Sequence, residues 1–164
     1  MSDVEDFTGS TGRKETREEQ LDRNWAELLQ ELRVLQTGVQ ILAGFLLTLP
    51  FQQRFEDLDD FQVKLYLANV VIATLTTALI LLPVSVHRRL FRQRLKEMLV
   101  SSADSITKVA LGGVGMLSVG TASLVFDVTA GRTAGLTTGA ILLAILLVLL
   151  VFVPFRLNRR AQGQ

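Results

Sequence analysis

The chain has 164 residues, 49% of them hydrophobic, and its mean hydropathy of +0.37 is high for a soluble domain. Because the apolar residues lie in long blocks, the composition indicates an integral membrane protein. The net charge of +1 gives no argument for a nucleic-acid partner. The absence of Cys excludes disulfides and thiolate sites, and a single histidine, His87, excludes zinc sites built from several histidines.

Residues 1–20 combine Gly, Ser, Thr and charged residues without apolar periodicity, which predicts a disordered tail. They lack the basic start and directly following apolar run of a signal peptide. We therefore expect the first apolar block to remain in the protein as a signal anchor.

The first helix is predicted from a heptad pattern. Its apolar residues alternate in steps of four and three: Leu21, Trp25, Leu28, Leu32, Leu35, Val39, Leu42, Leu46 and Leu49. This spacing predicts a continuous helix that packs along its length against another helix. Because no charge follows Arg33 until Arg54, the helix should begin in water and span the bilayer over about residues 34–51.

The first five positions of the heptad pattern form a candidate association seam. They are Leu21, Trp25, Leu28, Leu32 and Leu35. An apolar stripe of this length outside the bilayer is expected to bind a second copy or a partner helix. The alternative is that it packs against the other cytoplasmic segment of the same chain.

A candidate intramembrane polar face lies on the same helix and consists of Arg33, Gln36, Thr37 and Gln40. Polar groups in hydrocarbon are costly unless they are hydrogen-bonded, so this face should point into the bundle or an oligomer interface. It is interpreted as a hydrogen-bond network that fixes helix packing, with a functional site as the alternative.

The second span is predicted over residues 64–86, after an acidic loop, with Tyr66 as an aromatic anchor at the interface. Residues 87–108 are then predicted to form a basic amphipathic helix on the cytoplasmic membrane surface. Its candidate contacts with anionic lipid headgroups are Arg88, Arg89, Arg92, Arg94 and Lys96.

The third span, about residues 109–128, is rich in small residues and should therefore be the central, closely packed helix. The fourth span, about residues 135–155, opens with Gly135 and Gly139 at GxxxG spacing. Between them, Asp127 and Arg132 are predicted to form an ion pair that closes the turn. The predicted fold is an all-α membrane four-helix bundle over residues 21–160, followed by a short cytoplasmic tail, 161–164.

The basic residues predict the orientation. Four spans leave both termini on one side, and that side, with the middle loop, carries fourteen of the seventeen Lys and Arg. The opposite side carries only Arg54, Lys64 and Arg132. The positive-inside rule therefore places both termini in the cytoplasm of a multi-pass plasma-membrane protein.

Four stretches carry a resemblance to a known family: DRNWAELLQELRVLQTGVQIL, FLLTLPFQQRF, LLPVSVHRRLFR and DVTAGRTAG. Over residues 21 to about 155 the chain resembles a family of small four-span actinobacterial membrane proteins of unknown function, some of which are labelled sodium:proton antiporters. The resemblance implies a four-helix plasma-membrane protein and identifies no functional residues.

Two classes of function follow. Apart from Asp127 at the outer end of the third span, no Asp or Glu lies inside a predicted span, although an antiporter needs an ionisable group there, and no catalytic motif is present. We therefore expect neither an enzyme nor a bound cofactor or metal. The first class is a structural or regulatory membrane subunit that associates through its heptad helix, and the alternative is a small ion carrier such as a sodium:proton antiporter.

Overall fold

A computed structural model describes residues 17–90, 96–153 and 156, with side chains for residues 19–20, 23–85, 105–153 and 156. Within this part the chain is almost entirely helical. The long helices are α1 (Arg17–Thr48), α2 (Asp60–Leu90), α3 (Lys96–Ala130) and α4 (Arg132–Leu147). A π-helical turn, Val148–Phe152, continues α4. The all-α fold is confirmed.

Each long helix contributes one segment that is long and apolar enough to cross a membrane. These segments are Arg23–Phe51, Asp60–Ser85, Ser105–Ala130 and Arg132–Phe152. The described residues thus contain four candidate spans, the number predicted, and they indicate a multi-pass membrane protein.

Helix α1 is continuous over 32 residues, as its uninterrupted heptads predict. It begins at Arg17, so residues 17–20 are helical and do not belong to the predicted tail. It ends at Thr48, where the short 3-10 turn Leu49–Phe51 takes over, because Pro50 has no N–H to donate. The remainder of the tail, residues 1–16, and the C-terminal residues 157–164 lie outside the described residues.

The core is built from heptads on three helices. Its fully buried apolar residues are Leu32, Val39 and Leu46 of α1, Tyr66, Ala73 and Ile80 of α2, and Ala110, Leu117 and Leu124 of α3. Each set is spaced by seven residues, so the three helices present regular stripes to one another. Helix α3 packs against α1, α2 and α4, which confirms its predicted central position.

Helix α4 lies on the outside of this three-helix core and packs mainly against α3. Its buried residues among those described are Gly135 and Gly139, the predicted GxxxG pair. The connection to α3 is a single residue, Gly131, whose φ of 93° is strained for a residue with a side chain. Antiparallel packing of α3 and α4 therefore begins directly at this turn.

The described part of residues 87–108 belongs to α2 and α3, and not to the separate amphipathic helix predicted there. Residues 87–90 are the last turn of α2, and residues 96–108 are the first turns of α3. No Gly or Pro interrupts residues 96–111, so the basic segment extends the spanning helix instead of forming its own element. Phe91 to Leu95, including Arg92 and Arg94, lie outside the described residues.

Tyr66 is a core residue and not the predicted interfacial anchor. Its side chain is 5% exposed and meets the Phe55 ring edge-on, at 5.1 Å between ring centroids. The turn between α1 and α2 places Phe55 over the end of the core, so the tyrosine ring is covered on that side.

Candidate functional site

A cluster of polar side chains, the polar clamp, joins three helices at one end of the bundle. It consists of Asp59, Gln62, Asp127 and Arg132. Asp59 precedes α2, and its carboxylate Oδ1 accepts hydrogen bonds from the backbone N–H groups of Phe61 at 2.9 Å and Gln62 at 3.0 Å. The side-chain oxygen of Gln62 accepts the Asp59 N–H at 3.0 Å, which completes a reciprocal capping box.

Asp127 is the buried carboxylate of the clamp, with 3% of its surface exposed near the end of α3. Its Oδ1 accepts a hydrogen bond of 2.6 Å from the Gln62 amide nitrogen. Its Oδ2 lies 3.3 Å from Arg132 Nη1, which is an ionic contact because the geometry does not make a hydrogen bond. The predicted ion pair between Asp127 and Arg132 is confirmed.

Arg132, the first residue of α4, joins the remaining members. Its Nη2 donates to the Asp59 carboxylate, and its guanidinium carbon lies 3.9 Å from the centroid of the Phe61 ring. Since one cation meets two carboxylates and an aromatic face, the clamp ties the first turns of α2 and α4 to the last turn of α3.

The clamp should weaken in acid because the pKa of Asp59 lies below its ordinary value of 3.8. The main causes are the hydrogen bonds from the Gln62 backbone and from Arg132. A lowered folded-state pKa contributes stability that is fully present above 3.8 and is lost as the pH falls through the lowered pKa. We expect thermal unfolding in detergent to move to lower temperature over that acidic range.

The matched control is Asp59→Asn, because asparagine also caps helices but does not titrate. The variant should be less stable than the parent at neutral pH, and its unfolding temperature should fall less on acidification. An equal acid-induced loss in both proteins would assign the effect to other carboxylates.

Further along α2 from the clamp, polar side chains of α2 pack against glycines of α3. Asn69 lies against Gly120 and Thr76 against Gly113, and a Cβ atom at either glycine would collide with the polar side chain opposite. Asn69 and Thr76 are buried, and the Asn69 amide donates to the Leu65 carbonyl at 2.9 Å. Gln62, Asn69 and Thr76 are spaced by seven residues, so they mark one stripe along the contact between α2 and α3.

The predicted polar face of α1 does not point into the bundle. Arg33, Thr37 and Gln40 are exposed, and Gln36 is half-buried. The Thr37 hydroxyl donates to the Arg33 carbonyl at 3.0 Å, one turn earlier, and so is satisfied within its own helix. The inward position is wrong because the heptad stripe of leucines already occupies the side of α1 that meets α2 and α3. An oligomer interface for this face stays a prediction.

The predicted association seam contacts the chain's own core. Leu32 is 3% exposed, Leu35 packs against the same core, and Trp25 and Leu28 are half-buried. The side chain of Leu21 lies outside the described side chains. Leu32 and Leu35 of the seam thus lie in the core of their own chain. Binding of a partner by Leu21, Trp25 and Leu28 stays a prediction.

The predicted headgroup contacts stay predictions too. The backbones of Arg88, Arg89 and Lys96 lie in the end of α2 and the start of α3, but their side chains are not among those described. The same holds for His87.

Sequence inspection missed the contributions of Phe61 and Gln62 to the clamp and the seating of Asn69 against Gly120. A signal for part of the clamp was present, since an Asp followed three residues later by Gln is a helix-start pattern. The pairing across α2 and α3 had no local signal, because it depends on which residues meet between the helices.

Comparison with known proteins places the chain in a family. Residues 14–154 match a family described as a family of unknown function, DUF6328. The chain belongs to this family. No curated protein and no solved structure matches it. Membership in DUF6328 assigns no activity to the clamp or to α1.

Proposed function

We propose that this DUF6328 protein is a structural or regulatory membrane subunit that associates with another membrane protein through helix α1. The observation that carries the proposal is the exposure of Gln40 on the outer side of α1. At a rise of about 1.5 Å per residue, Gln40 lies about 10 Å beyond Arg33, inside the apolar segment. From Leu32 onwards the heptad face of the same helix packs in the chain's own core, so along the apolar segment the outer face is the one left for a partner.

The cost of an unpaired carboxamide supports the proposal. Among the described residues, no group forms a hydrogen bond with the side chain of Gln40. An amide facing hydrocarbon without a partner costs several kcal/mol, whereas a polar group on a facing helix would satisfy it. One turn further, a Cβ atom added at Gly44 would have no neighbour within 4 Å, so a neighbouring helix could approach closely there.

The proposed orientation places both termini in the cytoplasm and the clamp outside the plasma membrane. Support comes from the basic residues, which concentrate at the end of the helices opposite the clamp. Anionic lipids are the proposed partners of the basic residues from the end of α2 to the start of α3: Arg88, Arg89, Arg92, Arg94 and Lys96.

The alternative function is a small ion carrier such as a sodium:proton antiporter, for which Asp127 is the candidate group. It is the only buried carboxylate among the described side chains. Its pairing with Arg132 and Gln62 at the end of α3 argues against a site that alternately binds and releases cations. The subunit proposal is therefore favoured.

A photo-crosslinking amino acid at position 37 tests association in native membranes and leaves Gln40 in place. We expect a protein adduct of defined mass from position 37, because Thr37 is exposed on the face against which the proposal places a partner helix. The matched control is position 141 of α4, where Ile141 is 60% exposed and no partner is proposed. Lipid adducts alone at position 37, with the same pattern at position 141, would contradict association through α1.

A further inference from the structure

The outer face of α1 has the composition of a helix contact along its membrane segment. We define this face as the outer stripe: Arg33, Thr37, Gln40 and Gly44. These four residues are spaced by four, three and four, and all are exposed. The spacing is that of a second heptad seam, on a different side of α1 from the leucines that meet α2 and α3.

We propose that the partner on the outer stripe is a second copy of this chain, paired through α1 about a two-fold axis along the membrane normal. The inference rests on the proposed function and names the partner. Two copies in one membrane share the same orientation, so this axis sets their α1 helices parallel. Each residue of the stripe near the axis then faces its own counterpart.

The stripe is self-complementary, as a two-fold interface requires. A carboxamide has both a donor and an acceptor, so Gln40 of one copy can donate to Gln40 of the other and accept from it. The neighbouring positions on the stripe are small, and neither Thr37 nor Gly44 would hold the backbones apart. The carboxamides can therefore reach each other.

Arg33 does not oppose this pairing. It is exposed at the start of the apolar segment, where its long side chain can extend to the headgroups. Helices that cross near Gln40 and Gly44 diverge towards Arg33, so the two guanidinium groups separate.

Cysteine cross-linking in native membranes tests the inference, because the chain has no Cys of its own. We expect oxidation of Thr37→Cys, on the same stripe and with Gln40 retained, to give a dimer of two copies, and the control Ile141→Cys to give none. Fluorescence transfer between labelled full-length chains in liposomes should show weaker dimerisation of Gln40→Leu. The expected change in dissociation constant is about three- to twentyfold for each interhelical hydrogen bond lost.

The outcomes separate the inference from the proposed function. A dimer through position 37 that Gln40→Leu weakens supports both. A protein photo-adduct at position 37 without a cysteine dimer overturns the second copy and leaves the proposed function standing. Neither adduct nor dimer overturns both, and a dimer that Gln40→Leu does not weaken overturns pairing through the carboxamides. Because Gln40 is exposed within one chain, its variants should keep the parent's helix content, and circular dichroism checks this.

Discussion

Replacing Gly135 by alanine is expected to push α4 away from α3 and to lower the stability of the protein in detergent. A Cβ at this position would lie 2.6 Å from Asp127 Cβ and 2.9 Å from both Asp127 Cα and the Ser123 carbonyl oxygen. Two of these atoms belong to the backbone, so a rotamer change cannot relieve the collision. Overpacking of this kind costs about 1–3 kcal/mol, and the fall should appear in thermal unfolding.

The control for this substitution is Gly112→Ala on α3. A Cβ there would meet nothing within 4 Å, so the change should be neutral or stabilising by up to about 1 kcal/mol. Gly139→Ala should have an intermediate effect, because its collision is with the Ser123 side chain, at 2.9 Å from Oγ. Equal effects at positions 112 and 135 would show that α4 does not depend on close contact with α3.

Replacing Arg132 by leucine should open the polar clamp and lower the melting temperature by several degrees. The change leaves the buried carboxylate of Asp127 without its cation, with Gln62 as its remaining hydrogen-bond donor. An uncompensated buried charge destabilises more than loss of the whole pair does. Asp59 would also lose its contact with α4.

The double variant Asp127→Leu with Arg132→Leu separates the charge effect from the loss of contacts. It should be more stable than Arg132→Leu alone, because no unpaired carboxylate remains. If the double variant is instead the less stable of the two, then Asp127 does not depend on Arg132 for its charge balance.

The amino-acid sequence by itself determined the class of fold and much of α1. Four long apolar blocks require helices that satisfy their own backbone groups, so the number of spans follows from composition. The heptads from Leu21 to Leu49 predicted a continuous helix because period and length are local properties. The small residues predicted the central position of α3, since they permit close approach to its neighbours.

The tertiary structure decided which face of each helix is used. The polarity of one α1 face predicted that this face points into the bundle. The leucine stripe of α1 occupies the core instead, and Gln40 is exposed on the outer side. The two ends of the basic segment also became part of α2 and α3. No Gly or Pro in residues 96–108 interrupts the helix that continues into the next span. Both outcomes depend on how the helices pack against one another, and the sequence of one segment alone does not contain that information.

The polar clamp is the clearest case of this division. The nearby pair Asp127 and Arg132 could be predicted because a short turn holds the two residues together. Asp59 and Gln62 join them from more than 60 positions away, as the Gln62 to Asp127 hydrogen bond crosses 65 residues of chain. Their meeting requires the antiparallel register of α2 against α3, in which Asn69 and Thr76 lie against Gly120 and Gly113. This packing depends on the surfaces of both α2 and α3, so only the tertiary structure shows which residues meet.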